Sequence, residues 1–266
     1  DIDADMDLQL AVMQALQKID AMIVDCDAVI EKVCKLLPDN NLRFFKFPWG
    51  IDLDKYRRLP KNQFRKLRQR LNWTDHTVFI STRSWDVIYG IESLIEAFDL
   101  LVKDNPEVRL LLIGDGPLRS RILSQIKAKS IEDYIHIPGR IQEDELNKWY
   151  ASADVYVSSS VCDGSSVSML EAMACGLPVV VHNRHGNKEW VKHDENGWLT
   201  NCEDINDLFL SMNDAAHSRE KWKDMGQNNR IQALNIADWR NNSHSIVDAY
   251  EYAYGIYADV DSGSKK

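Results

Sequence analysis

Apolar and polar positions along the chain follow two periods. Residues 6–18 carry apolar side chains at helical spacing, 21–24 reads as a strand, 27–36 as a helix and 42–47 as another strand. Pro48-Trp49-Gly50-Ile51-Asp52 punctuates this opening. A basic segment, 55–70, then leads into 77–82, an apolar run of buried-strand length. From there helices and strands alternate: helix 90–103, strand 108–113, helix 117–128, strand 135–137, helix 143–151, strand 155–157, a helix ending near Cys175, and strand 179–181. Short apolar strands separated by helices predict an α/β fold, a Rossmann-like parallel sheet covered by helices on both faces. The remainder reads as mostly helical, with Trp222, Trp239, Tyr250 and Tyr252 available for packing. Residues 259–266 read as a frayed tail.

The strand ends carry the chemistry. In open parallel sheets ligands bind outside the carboxyl ends of the strands, and four such loops stand out. Arg83 follows strand 77–82, Gly114-Asp115-Gly116 follows 108–113, Gly139-Arg140-Ile141 follows 135–137, and Asp163-Gly164-Ser165-Ser166 follows 155–157. The last of these opens a segment, 163–178, that reads Asp-Gly-Ser-Ser-Val-Ser-Met-Leu-Glu-Ala-Met-Ala-Cys-Gly-Leu-Pro. A polar loop entering a helix offers unpaired backbone N–H groups and the positive end of the helix dipole, which suit a phosphate. Glu171 falls about a turn and a half into that helix, roughly 7–9 Å along its axis, and its side chain leans back toward the helix start. Glu171 and Asp163 are therefore placed to take hydroxyls on either side of a phosphate. Such a clamp suits a sugar–phosphate–sugar ligand, a nucleotide sugar.

Ordinary structural readings stand beside these. A serine at a helix start is often only a cap, and Gly176 with Pro178 ends a helix by general rules. Glu171, however, lies among Val167, Met169, Leu170, Ala172 and Met173, where a carboxylate is costly without a partner. Arg83 has the fork geometry for a phosphate, but equally for a surface salt bridge. Glycines 114 and 116 permit close backbone approach or an ordinary turn.

Composition narrows the function. The chain has 266 residues, 44% of them hydrophobic, enough for one large core or a domain plus part of another. Its formal net charge of -9 opposes binding to nucleic acid. No run of apolar residues is of membrane-spanning length and the start, Asp-Ile-Asp-Ala-Asp, is unlike a signal peptide. We therefore expect a cytoplasmic protein, or one peripheral at the inner membrane face through further parts. Five cysteines without CxxC spacing read as free thiols, and no HxxxH or HExxH pattern occurs. Asp-x-Asp pairs at 1/3, 25/27, 52/54 and 259/261 lie away from the strand-end loops, so no metal or other cofactor is expected.

The segment 163–178, with Gly186-Asn-Lys-Glu-Trp190 and Asn196-Gly-Trp-Leu199, resembles the retaining glycosyltransferases of family four, glycosyl transferases group 1, which have the two-domain GT-B architecture. Pro48-Trp-Gly-Ile-Asp52 is similar to that family's interdomain segment and Ile113-Gly-Asp-Gly-Pro117 to its Gly-x-Gly-Pro turn. The resemblance covers about residues 20–255. It implies that 1–50 is the end of an N-terminal acceptor-side domain, 51–240 the donor-binding domain and 241–258 a C-terminal helix.

The resemblance also implies roles. Glu171 would bind the donor ribose and Asp163 the donor sugar. Backbone around Gly164, Ser165, Ser166, Val167 and Ser168 would hold the pyrophosphate, Arg83 would neutralise it, and Gly114 and Gly116 would border the donor. Arg140 and Ile141 would lie against the nucleobase. The implied reaction is hexosyl transfer from a nucleoside-diphosphate sugar to an acceptor, a surface glycan or glycolipid, with retention and without a metal. Three departures qualify it. Tyr89 stands where the family has a lysine, with a hydroxyl that could donate to phosphate in its place, or with Arg119 or Lys188 compensating. Asp163 is one methylene shorter than the usual glutamate, and most of the acceptor domain is missing. A fragment whose N-terminal acceptor domain lies in further sequence, a separate acceptor subunit or one half of a split enzyme, and a noncatalytic nucleotide-sugar-binding subunit are the readings this leaves.

Overall fold

The computed structural model describes residues 6–263 apart from 185 and 203. A small N-terminal lobe comprises α1 (Met6–Leu16), β1 (Ala21–Val24), α2 (Asp27–Leu36) and β2 (Arg43–Lys46), with β1 and β2 paired in parallel. The main lobe continues with α3 (Lys61–Arg70), β3 (Thr77–Ser81), α4 (Ile91–Asp104), β4 (Val108–Ile113), α5 (Arg119–Lys129), β5 (Ile135–Gly139), α6 (Glu143–Tyr150) and β6 (Val155–Ser158). It is completed by α7 (Val167–Ala174), β7 (Val179–His182), α8 (Asn187–Trp190), β8 (Gly197–Thr200), α9 (Ile205–His217) and α10 (Trp222–Ile236). After α11 (Trp239–Asn242), α12 (His244–Gly263) returns to the small lobe and packs on β1 and β2, with Tyr252 against Phe45 at 5.6 Å between ring centres. Of the stretch expected as a tail, 259–263 is helical and 264–266 lies outside the described residues.

The six strands of the main sheet are all parallel, in the order β5-β4-β3-β6-β7-β8. Alternation along the strands divides the core. Phe79, Leu110, Leu112, Val155 and Val157 face α4 and α9, whereas Val78, Ile80, Leu111, Ile113 and Tyr156 face the layer that contains Met169, Leu170 and Met173 of α7. Both faces are thus covered, which is why the strands read as continuous apolar runs.

Strand order reverses between β3 and β6. Their carboxyl ends diverge into the loops carrying Arg83 and Asp163, leaving the crevice where ligands bind in doubly wound sheets. The two lobes are joined at 48–51 and 237–242, and these crossings are bonded together. Ile51 N–H donates to Ala237 O at 2.8 Å and Trp239 N–H to Ile51 O at 3.3 Å, while the Asn242 side-chain amide donates to Pro48 O at 2.8 Å. Gly50 is required there, because a side chain would meet the Trp239 backbone.

Candidate functional site

Helix α7 is short and begins at the crevice. Ser166 precedes it with an extended backbone and no side-chain cap bond, and the first amides of any helix have no acceptor within it. Ser166 and Ser168 instead turn their hydroxyls to Arg83, whose Nη1 donates to Ser166 Oγ at 2.7 Å and to Ser168 Oγ at 2.8 Å. Nη2 of the same guanidinium pairs with Asp163 Oδ2 at 2.6 Å, and Tyr89 presents its ring to it at 4.2 Å. Arg83 is only 8% exposed, and its Nε lacks an acceptor. The structure therefore gathers Arg83, Tyr89, Asp163, Ser166 and Ser168 into one cluster at the switch point. A buried cation so surrounded is held in one orientation at the helix start.

Glu171 lies one turn further along α7 from Ser168. It lines a cavity of about 350 Å³ together with Val167, Tyr56 and Glu143. Tyr150, fully buried, donates its hydroxyl to Glu171 Oε2 at 2.7 Å and can accept from Thr82 Oγ1 at 2.8 Å. Burial holds the Glu171 carboxyl above its ordinary value, against the lowering effect of that hydrogen bond. Tyr156 makes a matching contact, 2.9 Å between its hydroxyl and Ser168 Oγ. None of these tyrosine roles was anticipated, because a tyrosine inside an apolar pattern reads as core.

The remaining predicted residues divide. Gly114, Arg140 and Ile141 line a second cavity, of about 270 Å³, with Thr82 and Arg83. Gly114 and Gly116 lack side chains for a packing reason as well: added Cβ atoms would meet the backbone at Arg83 and Trp85 respectively. Ser165 is turned elsewhere. Its amide donates to Asp25 Oδ2 at 2.9 Å, its hydroxyl donates to Asp25 O at 3.0 Å, and that hydroxyl accepts from Trp190 Nε1 at 3.2 Å. Gly164 lies against the same carboxylate, which fills the place of its side chain.

Against expectation, Asp25 of the 25/27 pair reaches the loop at 163–166, because folding brings the end of β1 against it, and the other described aspartates of these pairs have protein partners of their own. Asp27 pairs with Lys46 at 2.7 Å, Asp52 accepts from the amides of Asp54 and Lys55, and Asp54 pairs with Arg240 at 3.2 Å. The pair at 1/3 and the side chains at 259/261 lie outside the described residues. Among the described residues no group of three or more His, Cys, Asp or Glu side chains gathers as metal ligands, and no helix is long and apolar enough to cross a membrane. Arg119, one of the alternative cations, is paired with Asp115 at 3.3 Å and lies 5.6 Å from the Trp85 ring.

Comparison with solved structures gives the fold. Sucrose-phosphate synthase from Thermosynechococcus elongatus superposes with a TM-score of 0.82 at 22% identity, over 95% of this chain and 63% of that one. HepE from Anabaena, solved with UDP and glucose, gives 0.80 at 20% identity over 93% and 68%. Alpha-monoglucosyldiacylglycerol synthase of Streptococcus pneumoniae is 30% identical over 166 residues, 59% of this chain and 38% of the synthase. An uncharacterised glycosyltransferase of Haemophilus influenzae matches at 27% identity across 47% of its length, so the chain spans less than half of these relatives. The family model for glycosyl transferases group 1 matches residues 63–232, from α3 across the sheet, the switch-point cluster with Glu171 and the Arg140–Ile141 cavity to α10. With the GT-B neighbours agreeing in fold, this chain belongs to the glycosyl transferases group 1 family.

Proposed function

We propose that this chain carries the nucleotide-sugar site of a retaining glycosyltransferase, the donor half of an enzyme that glycosylates a surface glycan or glycolipid. One observation carries the reading: the serine hydroxyls at the start of α7 hold a buried guanidinium at the switch point of the sheet, which also lines the Arg140–Ile141 cavity, while Glu171 of the same helix lines a second cavity. A nucleoside diphosphate has matching parts. Its phosphates suit the helix start and Arg83, its ribose hydroxyls suit Glu171, and its base suits the space beside Arg140 and Ile141. The sugar then lies toward Asp163 and the small lobe.

In the proposed reaction the C–O bond between sugar and diphosphate breaks while the acceptor hydroxyl oxygen bonds the anomeric carbon on the same face and its proton passes to the departing diphosphate. Negative charge grows on the departing diphosphate. The α7 amides and Arg83 are fixed before that charge appears, which is how electrostatic preorganisation lowers a barrier. The proposal assigns no metal to this step. An acceptor half, on further sequence of the same protein or on another subunit, completes the cleft. Glycolipid chemistry is supported by the name of the pneumococcal relative, and the site of action would be the cytoplasm or its membrane face.

Tyr89 favours a second reading, a noncatalytic nucleotide-sugar-binding subunit, since its ring supplies no positive charge where the family pattern has lysine. Thermal unfolding with UDP, GDP or ADP tests binding. A rise in melting temperature that Glu171→Ala abolishes supports the donor assignment, whereas an equal rise in the variant refutes the ribose contact. Sugar transfer from radiolabelled donors, in the presence of an acceptor half, separates enzyme from binding subunit.

A further inference from the structure

The loop that presents Asp163 and leads into α7 is gripped from the small lobe. Asp25, just past β1 and 140 residues from Ser165 in sequence, takes the Ser165 amide on its carboxylate and the Ser165 hydroxyl on its main-chain oxygen. Trp190 donates to that hydroxyl as well, so Ser165 is held from two directions. The opposite side is closed by Gly186, whose missing side chain lets its backbone sit against Gly164 O. The turn at 163–165 is therefore clasped between Asp25 and Gly186. Asp25 itself is braced, because Asp27 and Lys46 of the small lobe meet Glu189 of α8. Asp27 N–H donates to Glu189 Oε1 at 2.6 Å, and Lys46 Nζ reaches both carboxylates, at 2.7 Å and 2.6 Å.

Placement separates this carboxylate from a ligand mimic. Its acceptor bond is to Ser165, ahead of the helix, whereas the amides that open α7 begin at Val167. We infer that Asp25 is a positioning residue for the donor loop: it fixes the turn that pairs Asp163 with Arg83 and whose next residues lead into the α7 amides. The geometry also explains Gly164, since any side chain there would strike the Asp25 carboxylate. Donor-loop order thereby depends on the small lobe.

Hydrogen exchange on the ligand-free chain tests the tie without reference to any ligand. Asp25→Ala is expected to speed exchange of the Ser165 amide by about tenfold or more, the scale of a lost charge-assisted hydrogen bond, with β4 unchanged. Asp25→Asn keeps an acceptor oxygen and is expected to restore most of the protection. Unchanged Ser165 exchange in the alanine variant overturns the tie, and equal loss in the asparagine variant overturns the role of the acceptor. The consequence for binding rests on the donor-site reading and is measured separately by calorimetry with UDP and GDP. Affinity about tenfold weaker in Asp25→Ala, recovered in Asp25→Asn, supports positioning. Unchanged or tighter binding in the alanine variant refutes positioning, whereas failure of the unmodified chain to bind nucleotides refutes the donor site and leaves the exchange result to decide the tie.

Discussion

The guanidinium carbon of Arg83 lies over the Tyr89 ring, 4.2 Å from its centre. Tyr89 thus meets Arg83 through its π-face, whereas the sequence pointed to its hydroxyl. A ring under a buried guanidinium contributes roughly 0.5–2 kcal/mol and restricts its rotation.

Tyr89→Phe keeps the ring and is expected to bind nucleoside diphosphate within about twofold of the unmodified chain. Tyr89→Ala removes the platform and is expected to weaken binding by roughly threefold to thirtyfold, in line with the cation–π energy. Isothermal calorimetry distinguishes them. Equal losses in both variants would return the role to the hydroxyl.

Glu171 couples binding to pH. Its carboxyl titrates above the ordinary value because of burial, so lowering the pH neutralises it earlier than a surface glutamate. If it accepts ribose hydroxyls as a carboxylate, nucleotide affinity falls as the pH drops through that raised pKa. Stability runs the other way. A raised folded-state pKa gives a contribution fully present below the unfolded pKa and lost as pH rises through the folded pKa. Glu171→Gln is therefore expected to stabilise the ligand-free protein near pH 7 while weakening nucleotide binding. Denaturant titrations and affinities at several pH values check both signs, and destabilisation at neutral pH would contradict the burial argument.

Tyr150→Phe removes the hydroxyl between Thr82 and Glu171. The two partners lose a buried contact, so urea unfolding is expected to show a loss of roughly 1–3 kcal/mol. The Glu171 carboxyl should rise further, since that bond lowers it. The pH dependence of nucleotide affinity then shifts upward.

Gly226 lies within α10, where alanine normally favours a helix by about 1 kcal/mol. Here an added Cβ would strike the carbonyl oxygen of Gly176, at the end of α7. Gly226→Ala is accordingly expected to destabilise the protein by roughly 1–3 kcal/mol, the scale of overpacking in a close contact. A gain in stability in thermal or urea unfolding would show that the two helices can separate freely.

The central strands were legible because they are buried on both faces, and a stretch such as Val108–Ile113 has few other uses. The cluster of Arg83, Asp163 and α7 was legible for a topological reason, since all three follow strands at the reversal of strand order. Other parts carried no local signal. Strand β8 is only four residues long and includes Gly197, and α3, almost wholly polar, has no apolar stripe to announce it. Tyr150 and Tyr156 look like core until their hydroxyls are located. Asp25 shows nothing in its own neighbourhood, as its partner is 140 residues away. Contacts of that kind are products of tertiary folding.

The paired crossings between the lobes also set an order of assembly. Asn242 and Pro48, bonded to each other, are 194 residues apart, and the helix that covers β1 and β2 follows Asn242. During synthesis β1 and β2 leave the ribosome long before α12, the helix that packs on them, is made. A chain cut after α10 would therefore lose a contact that holds β1 and β2, although both strands are still present.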